Sequence, residues 1–594
     1  MVLIHSALAL ALTGFAVVSY PFVWGLPPDF TPSPCELTQP VVQLSQGRVS
    51  GEYICPSNSS IERFLGIPFA LPPLGKLRFD APKPIPDNPN RTIDAEKYGP
   101  SCIPVASPYP HPKISEDCLT VNVIRPASLV RTYGNTIVSH DWSLLTVLFT
   151  SSAKLPVMVW IYGGAFVVGS SESDDGSELV NQSLAIERPI IFVSMNYRLN
   201  LFGFLASSEV EKRAKVYWTS ALPFKWVQKN IDAFGGDRDK VVVFGESAGA
   251  ISIGAHLLSN RGEHSGLFRG AILQSGAAMG YPVMRAEKFN HSYARLAEQV
   301  GCARAQPEVL DCLRGVPVDQ FLDVLKERPP GTVTPATEYP DHVVQDGDFY
   351  DGRPSEALDA GKIARVPTII GSVLDEGTVF TPRNLNSEEE LRKHITKNWV
   401  FDEPEALPEI LDRLLQRYPD IPFLGSPYPS PSWPDWDDNN RIFPPLESNQ
   451  FKRTASMFGD LMLESGRRVQ LDDIANAGGV GVWNYRFIQP PEDFQTYLGV
   501  YHSSDVPYVF AKWADQPGAR GQISRMMSHS WIRFAYFLDP NADTWFPWWP
   551  RFSLGTEKLF RSCIGILRSS GIDYREEALA YMGRDAAWLA VSGR

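Results

Sequence analysis

Short apolar runs alternate along this chain with longer stretches in which apolar and polar residues mix at helical spacing. Nearly uninterrupted runs cover 155–164, 189–199, 240–249, 269–278, 366–377 and 481–489. Strands without polar alternation belong to parallel sheets that are covered by helices on both faces. The pattern therefore predicts an α/β protein with a large, mostly parallel central sheet. Sites in such sheets gather at the carboxyl ends of the strands.

The N-terminus has a different pattern. An apolar run from Ala7 to Val18 ends at Ser19, which predicts a signal peptide over residues 1–19. The apolar stretch continues in YPFVWGL, so an uncleaved membrane anchor is the alternative. No other segment is long and apolar enough to span a bilayer. Residues 20–594 are expected to form a single domain, in which the Pro- and Asp-rich stretch 423–445 is a long surface loop.

Composition narrows the class of partner. The 594 residues carry a net charge of −12. Because nucleic-acid binding requires clustered Lys and Arg, we do not expect a nucleic-acid partner. Four Asn-x-Ser/Thr sequons agree with secretion and predict glycosylation at Asn58, Asn90, Asn181 and Asn290.

The cysteines are Cys35, Cys55, Cys102, Cys118, Cys302, Cys312 and Cys563. Because their number is odd, at least one thiol is free or pairs with another chain.

The run 240–249 ends in Gly-Glu-Ser-Ala-Gly and leads into a helical pattern over 250–260. A serine between glycines, placed between a strand and a helix, is typical of a nucleophile elbow, where a sharp turn leaves room only for small residues. This pattern predicts Ser247 as a nucleophile, although a plain turn would also use these residues. The helix dipole beginning at Ala248 would favour negative charge beside the serine.

A serine nucleophile needs a base, an acid that orients the base, and N–H donors for the oxyanion. His502 lies in a loop after a strand, whereas His529 lies in a helical pattern, where packing roles are more common. Asp375 and Glu376 both follow a strand in the expected chain order, and spacing does not separate them. The backbone N–H groups of Gly163, Gly164 and Ala248 would form the oxyanion hole, with a plain turn as the alternative for the two glycines.

Three stretches extend this pattern into a family resemblance. They are FGGDRDKVVVFGESAG (234–249), EDCLTVNV (116–123) and FLGIPFALPPLGKLRF (64–79). With them the chain resembles the type-B carboxylesterase/lipase family, the cholinesterase-like branch of the α/β-hydrolase fold, and within it the secreted fungal enzymes. The resemblance runs from about Val49 to the last helices.

The resemblance implies roles for individual residues. Ser247 would be the nucleophile and His502 the base, and Glu376 would be the acid because the family usually has Glu there. Disulfides would join Cys102 to Cys118 and Cys302 to Cys312; Cys35 and Cys55 are a further candidate pair that leaves Cys563 over. The implied reaction is two-step acyl transfer on a small-molecule ester, with no metal, cofactor or stable membrane insertion. The oligomeric state stays open.

The chain departs from the family in three places. Only 15 residues separate Cys102 from Cys118, and they include no tryptophan. A short loop here favours short- to medium-chain or aryl esters over the triacylglycerols of a lipase, because this loop is a longer, mobile lid in the family's lipases. The missing tryptophan, which cholinesterases use for the choline group, argues against choline esters. The stretch 128–154 is longer than usual, either as a surface insertion or as translated non-coding sequence. The stretch 211–224 replaces a family run that opens a helix beside the sheet, which puts stability and activity in doubt.

Two other functions remain compatible with the sequence. A non-catalytic binding or adhesion protein can share the fold, but such relatives typically lose the serine or the histidine. A peptidase or amidase would use the same triad.

Overall fold

The apolar runs form the strands of one central sheet. The structure, a computed structural model, describes residues 39–54, 61–105, 113–127, 131–133, 136–138, 154–213, 221–264, 266–305, 307–326, 343–345, 350, 352–399, 404–421, 448–489, 498–543, 548–553, 560–562, 575–585 and 588. The strands are β1 (Val41–Leu44), β2 (Gly47–Ser50), β3 (Glu52–Ile54), β4 (Ile61–Pro68), β5 (Thr92–Asp94), β6 (Thr120–Pro126), β7 (Arg131–Tyr133), β8 (Thr136–Val138), β9 (Leu155–Ile161), β10 (Ile191–Met195), β11 (Gly236–Glu246), β12 (Gly270–Gln274), β13 (Met284–Arg285), β14 (Val344–Gln345), β15 (Thr368–Val373), β16 (Val482–Phe487) and β17 (Phe560–Ser562).

Ten of these strands make the central sheet, in the order β17-β16-β15-β12-β11-β9-β10-β6-β4-β3 among the described residues. All pairs from β17 to β10 are parallel, and β6, β4 and β3 continue the sheet antiparallel. Every residue of β10, β12, β15 and β16 is buried, so both faces of the sheet are covered. The predicted mostly parallel sheet is confirmed.

Helices connect and cover the strands. The α-helices are Ser177–Ala185, Asn200–Phe204, Ser208–Arg213, Ala221–Asn230, Ala248–Leu258, Asn290–Gln299, Val309–Gly315, Val318–Lys326, Pro354–Asp359, Glu388–Asn398, Leu407–Arg417, Phe451–Gly459, Ser465–Ala477, Val506–Val509, Gly518–Phe537 and Glu576–Arg584, with a π-helix at Asp460–Glu464. The described residues belong to one compact unit, Gln39–Arg594. Within them, no helix combines the length and the hydrophobicity that a membrane crossing requires. The predicted signal peptide, 1–19, and surface loop, 423–445, lie outside them.

The unusual stretch 211–224 leads into a helix that packs against the sheet. Helix Ala221–Asn230 buries Phe224, Trp226 and Val227 in the same hydrophobic core as the strands. The indole of Trp226 also donates to Gln46 Oε1 at 2.9 Å. The unusual sequence therefore keeps an amphipathic helix in this place, although residues 214–220 lie outside the described part. In the longer stretch 128–154, β7 and β8 pair as an antiparallel hairpin.

Candidate active site

Ser247 occupies the turn between β11 and helix Ala248–Leu258. Its backbone has φ 54° and ψ −123°, a conformation that is unfavourable for a residue with a side chain. The flanking glycines make the turn possible, because a Cβ on Gly249 would lie 2.0 Å from the Ile161 carbonyl oxygen and one on Gly245 would lie 2.7 Å from it. The strained serine, partly exposed at a strand end, has the geometry of a nucleophile elbow.

A histidine and a carboxylate meet at the same edge of the sheet. Nδ1 of His502 lies 2.6 Å from Oε2 of Glu376, which follows β15, and both side chains are buried. The other oxygen of Glu376 accepts the backbone N–H of Val373 at 2.9 Å, which fixes the carboxylate. Asp375 instead accepts the N–H of Val500 at 2.8 Å. The structure thus places Glu376, and not Asp375, against the histidine.

The second imidazole nitrogen faces the nucleophile turn without joining it. The buried Nε2 of His502 lies 3.1 Å from Glu246 Oε1 but without the geometry of a hydrogen bond, and no hydrogen bond links it to the Ser247 hydroxyl. The connection runs through their neighbours, because the Ser503 hydroxyl donates to Glu246 Oε1 at 2.6 Å. Catalytic hydrogen bonds are often long in unliganded sites and tighten when substrate binds.

Three buried carboxylates surround this single histidine, and we call them with it the His502 cluster: His502, Glu246, Glu376 and Asp505. Oε1 of Glu246 lies 3.1 Å from His502 Nε2. Asp505 accepts hydrogen bonds from the Tyr485 hydroxyl at 2.7 Å and from the Gln274 amide at 3.2 Å.

Burial and mutual charge set the protonation of this cluster. Burial works against the imidazolium, but Glu246 and Glu376 outweigh it and raise the pKa of His502 to about 9. Burial raises the pKa of Glu246 to about 7 and that of Asp505 to about 6. Near neutral pH, protons can therefore be exchanged within the cluster, as acid–base chemistry requires.

The sequence predicts three backbone N–H groups as oxyanion donors. Those of Gly163, Gly164 and Ala248 donate no hydrogen bond to any described residue. Gly163 is close to the elbow, because a Cβ there would lie 2.8 Å from Ser247 Cβ. Gly164 has φ 110°, which glycine tolerates. Ala248 is the first residue of a helix, and the first N–H groups of a helix have no acceptor within it. Backbone N–H groups without acceptors are the kind of donor that oxyanion holes use.

The remaining predicted residues have structural surroundings. Disulfides join Cys102 to Cys118 and Cys302 to Cys312, the pairings that the resemblance implied. His529 is buried, and its Nε2 lies 3.1 Å from the Gln182 side-chain oxygen, so it is a packed residue. Cys35, Cys55 and Cys563 lie outside the described residues.

The sequons differ in accessibility. Asn90 is exposed in a turn, and Asn290 is exposed at the start of a helix, although its side chain exchanges hydrogen bonds with Ser208. Asn181 lies within helix Ser177–Ala185 and is only partly exposed. Asn58 lies outside the described residues.

Sequence reasoning gave no role to Glu246 or Ser503. Glu246 stands in the serine motif itself, and an acidic residue that ends an apolar strand directly before a nucleophile was a usable signal. Ser503 carried no such signal, because only the fold brings it to Glu246.

The fold and this cluster of groups define the chain as an α/β-hydrolase. The profile of the carboxylesterase family matches residues 38–564, so the chain belongs to that family and is a carboxylic ester hydrolase. It is 32% identical to "Secreted lipase 1" of Botryotinia fuckeliana over 87% of this chain and 90% of that one. It is 29% identical to "Inactive carboxylesterase-like protein VdtD" of Byssochlamys spectabilis over 82% of each. The crystal structure of Aspergillus niger EstA shares the fold, with a TM-score of 0.74 and 24% identity over 92% of this chain and 98% of that one.

Proposed function

We propose that this protein is a secreted serine carboxylesterase that cleaves short- to medium-chain or aryl esters through an acyl-enzyme on Ser247. The observation that carries the proposal is the 2.6 Å pairing of His502 with Glu376 beside a strained serine. The open N–H groups of Gly163, Gly164 and Ala248 complete the set of groups that acyl transfer requires.

The reaction would run in two halves. His502 takes the Ser247 proton through Nε2 while the hydroxyl oxygen attacks the ester carbonyl, and Glu376 holds the imidazole and stabilises its charged form. The three N–H groups bind the oxyanion until the carbon–oxygen bond to the alcohol breaks and His502 protonates the alcohol. Water then attacks the acyl-enzyme by the same steps and releases the acid.

The proposed substrate class rests on the loop between Cys102 and Cys118. Both of its ends are fixed, because Ser101 exchanges backbone hydrogen bonds with Lys113 and Ser115 at 2.9 and 3.0 Å. Arg78 also holds Glu116 through two hydrogen bonds of 2.6 and 2.7 Å, largely out of solvent. With both ends held, the 15 residues between the cysteines are few for a cover over long acyl groups. The alternative, a triacylglycerol lipase, is favoured by the names of relatives such as the secreted lipase.

The test is hydrolysis of 4-nitrophenyl esters from acetate to palmitate, with Ser247→Ala as the control. We expect the highest kcat/KM on butyrate-sized acyl groups and no turnover above background in the variant. A preference for palmitate would overturn the substrate class and leave the serine mechanism standing. A folded wild type without turnover would favour a binding protein on this fold, and equal rates on matched anilides would favour an amidase.

Secretion rests on the signal-peptide pattern, the two disulfides, which are typical of oxidising compartments, and the secreted relative. We expect higher glycan occupancy at the exposed Asn90 and Asn290 than at the helical Asn181. Endoglycosidase treatment of the secreted protein, followed by mass spectrometry of the sequon peptides, checks both points. Unmodified Asn90 in secreted material would contradict the expectation.

A further inference from the structure

Two segments that lie far apart in the chain bring the predicted acid and base together. Glu376 belongs to the turn that follows β15, residues 374–381, which we call the acid turn. His502 belongs to residues 498–504, which we call the base loop. The two residues are 126 positions apart, yet Nδ1 of His502 lies 2.6 Å from Oε2 of Glu376. A pairing this short depends on the contacts that fix one segment against the other.

One tether between the two segments lies directly before Glu376. The Asp375 N–H donates to the Val500 carbonyl oxygen at 2.9 Å, and the Asp375 carboxylate accepts the Val500 N–H at 2.8 Å. These bonds join a single residue of each segment. They leave the start of the base loop free to turn, because Gly499 has φ 65° and glycine gives the backbone rotational freedom directly before Val500.

A second tether lies on the other side of Glu376. The Thr378 hydroxyl faces two carbonyl oxygens, that of Leu498 at 2.6 Å and that of Asp375 at 2.9 Å. A hydroxyl has one proton to donate, and the shorter contact is the one that reaches the base loop. Thr378 is buried, so little water competes for this bond. Glu376 therefore has a tether to the base loop on each side.

The acid turn is closely packed on its other face. A Cβ on Gly377 would lie 1.9 Å from the Ala455 carbonyl oxygen, and a Cβ on Gly459 would lie 3.2 Å from Glu376 Cβ. Helix Phe451–Gly459 thus lies directly against the turn. Packing fixes the turn against this helix, whereas hydrogen bonds fix it against the base loop. The bond from Thr378 can be removed without changing a charged group.

We propose that Thr378 is a positioning residue whose hydroxyl keeps the base loop aligned with the acid turn, so that His502 stays paired with Glu376 during the reaction. The inference rests on the proposed function, because it assumes that His502 is the base for Ser247. Thr378 touches no reacting atom. Because it acts on the alignment of the base and not on substrate binding, loss of its hydroxyl lowers kcat and leaves KM largely unchanged.

The experiment compares Thr378→Val with Thr381→Val. Both threonines are buried in the acid turn, but the Thr381 hydroxyl donates to the Gly377 carbonyl oxygen at 2.8 Å, within the turn itself. With 4-nitrophenyl butyrate, and with rates per active site from titration of Ser247, we expect Thr378→Val to lower kcat about tenfold, less than the roughly 10²-fold cost of a 1 Å misplacement. We expect Thr381→Val to stay within about threefold of wild type in kcat, with similar melting temperatures in the two variants.

The pH profile separates positioning from a general loss of structure. Three buried carboxylates face His502, those of Glu246, Glu376 and Asp505, and the bond to Glu376 helps to raise the pKa of His502. A looser pairing lets the imidazolium lose its proton at lower pH. The acidic limb of kcat/KM should therefore move toward acid by about half a unit in Thr378→Val and stay in place in Thr381→Val.

A conservative variant tests whether the hydroxyl is responsible. Thr378→Ser keeps the hydroxyl and loses only a methyl group, so its kcat should stay within about threefold of wild type. Thr378→Ala loses both groups, and its kcat should match that of Thr378→Val. The pair of Thr378→Ser and Thr378→Ala makes the same comparison if Thr378→Val does not fold.

The outcomes are distinguishable. Equal kcat losses in Thr378→Val and Thr381→Val, a loss confined to KM, or an unmoved acidic limb would overturn the role of Thr378, while Ser247-dependent turnover of the wild type upholds the proposed function. A wild type whose turnover does not depend on Ser247 would overturn both.

Discussion

Two groups of buried charges lie on opposite faces of β16 and are built in opposite ways. The Tyr485 hydroxyl binds Asp505 in the His502 cluster, whereas the next residue, Arg486, lies 2.8 Å from Glu464. Successive residues of a strand point to opposite faces of the sheet, so the sheet separates the two groups. Glu464, Arg467 and Arg486, the Glu464 cluster, combine one carboxylate with two guanidinium groups.

The difference lies in which sign of charge is in excess. Burial opposes ionisation of Glu464, but Arg467 and Arg486 outweigh it and lower its pKa to about 2. In the His502 cluster, carboxylates outnumber the imidazole, and the pKa values of Glu246 and Asp505 rise to about 7 and 6. Glu464 therefore stays ionised at ordinary pH values, while the His502 cluster can exchange protons near neutrality. The first arrangement suits structure and the second suits acid–base catalysis.

The largest effect should come from Glu376→Gln. An amide in place of this carboxylate keeps the size of the side chain but stops it from stabilising the imidazolium and selecting its tautomer. We expect kcat to fall by about 10⁴-fold, as when the corresponding carboxylate of other triads becomes an amide. Stopped assays at high enzyme concentration, with circular dichroism to verify the fold, measure the loss.

The matched control is Asp375→Asn, which alters the neighbouring carboxylate. Its carboxylate accepts the Val500 N–H, and an amide oxygen still accepts that bond. We expect kcat within about tenfold of wild type. Comparable losses in the two variants would mean that the turn as a whole, and not Glu376, supports catalysis.

The next largest effect should be on the stability of the protein and should come from the Glu464 cluster. Glu464→Gln leaves two buried guanidinium groups without their carboxylate, so we expect the free energy of unfolding to drop by about 3–5 kcal/mol. Urea denaturation measures it. The exposed pair of Glu409 and Arg413 is the control, because Glu409→Gln should cost less than about 1 kcal/mol.

The pH dependence sharpens this test. The pKa of Glu464 is lower in the folded state than its unfolded-state value of about 4.3. Its ionised carboxylate therefore stabilises the fold above that pH, and this stability is lost as pH falls toward 2. The deficit of Glu464→Gln should therefore shrink below pH 4. A constant deficit would show that the charge of Glu464 is not the source of the stability.

The two groups also differ in how far the sequence predicts them. The apolar runs predict the parallel sheet, the Gly-x-Ser-x-Gly turn predicts the elbow, and family resemblance selects Glu376 where spacing leaves Asp375 equal. The Glu464 cluster is invisible in the sequence, because charges at helical and strand positions resemble an ordinary solvated surface until packing buries them. Glu246 is an intermediate case. The residue is visible in the serine motif, but its contact with His502 depends on how the fold brings back the chain 256 residues later.

The smallest effect, and the one that tests the role of excess carboxylate, should come from Glu246→Gln. Glu246 helps raise the pKa of His502, so its removal lets the imidazole lose its proton at lower pH. A general base must be neutral, and the acidic limb of the kcat/KM profile should therefore move about one unit toward acid. The plateau should fall only modestly, because Glu376 still stabilises the imidazolium. Profiles between pH 5 and 10 on 4-nitrophenyl butyrate check this. An unmoved limb would mean that Glu246 does not set the protonation of the base, and the contrast between the two clusters would then be one of packing alone.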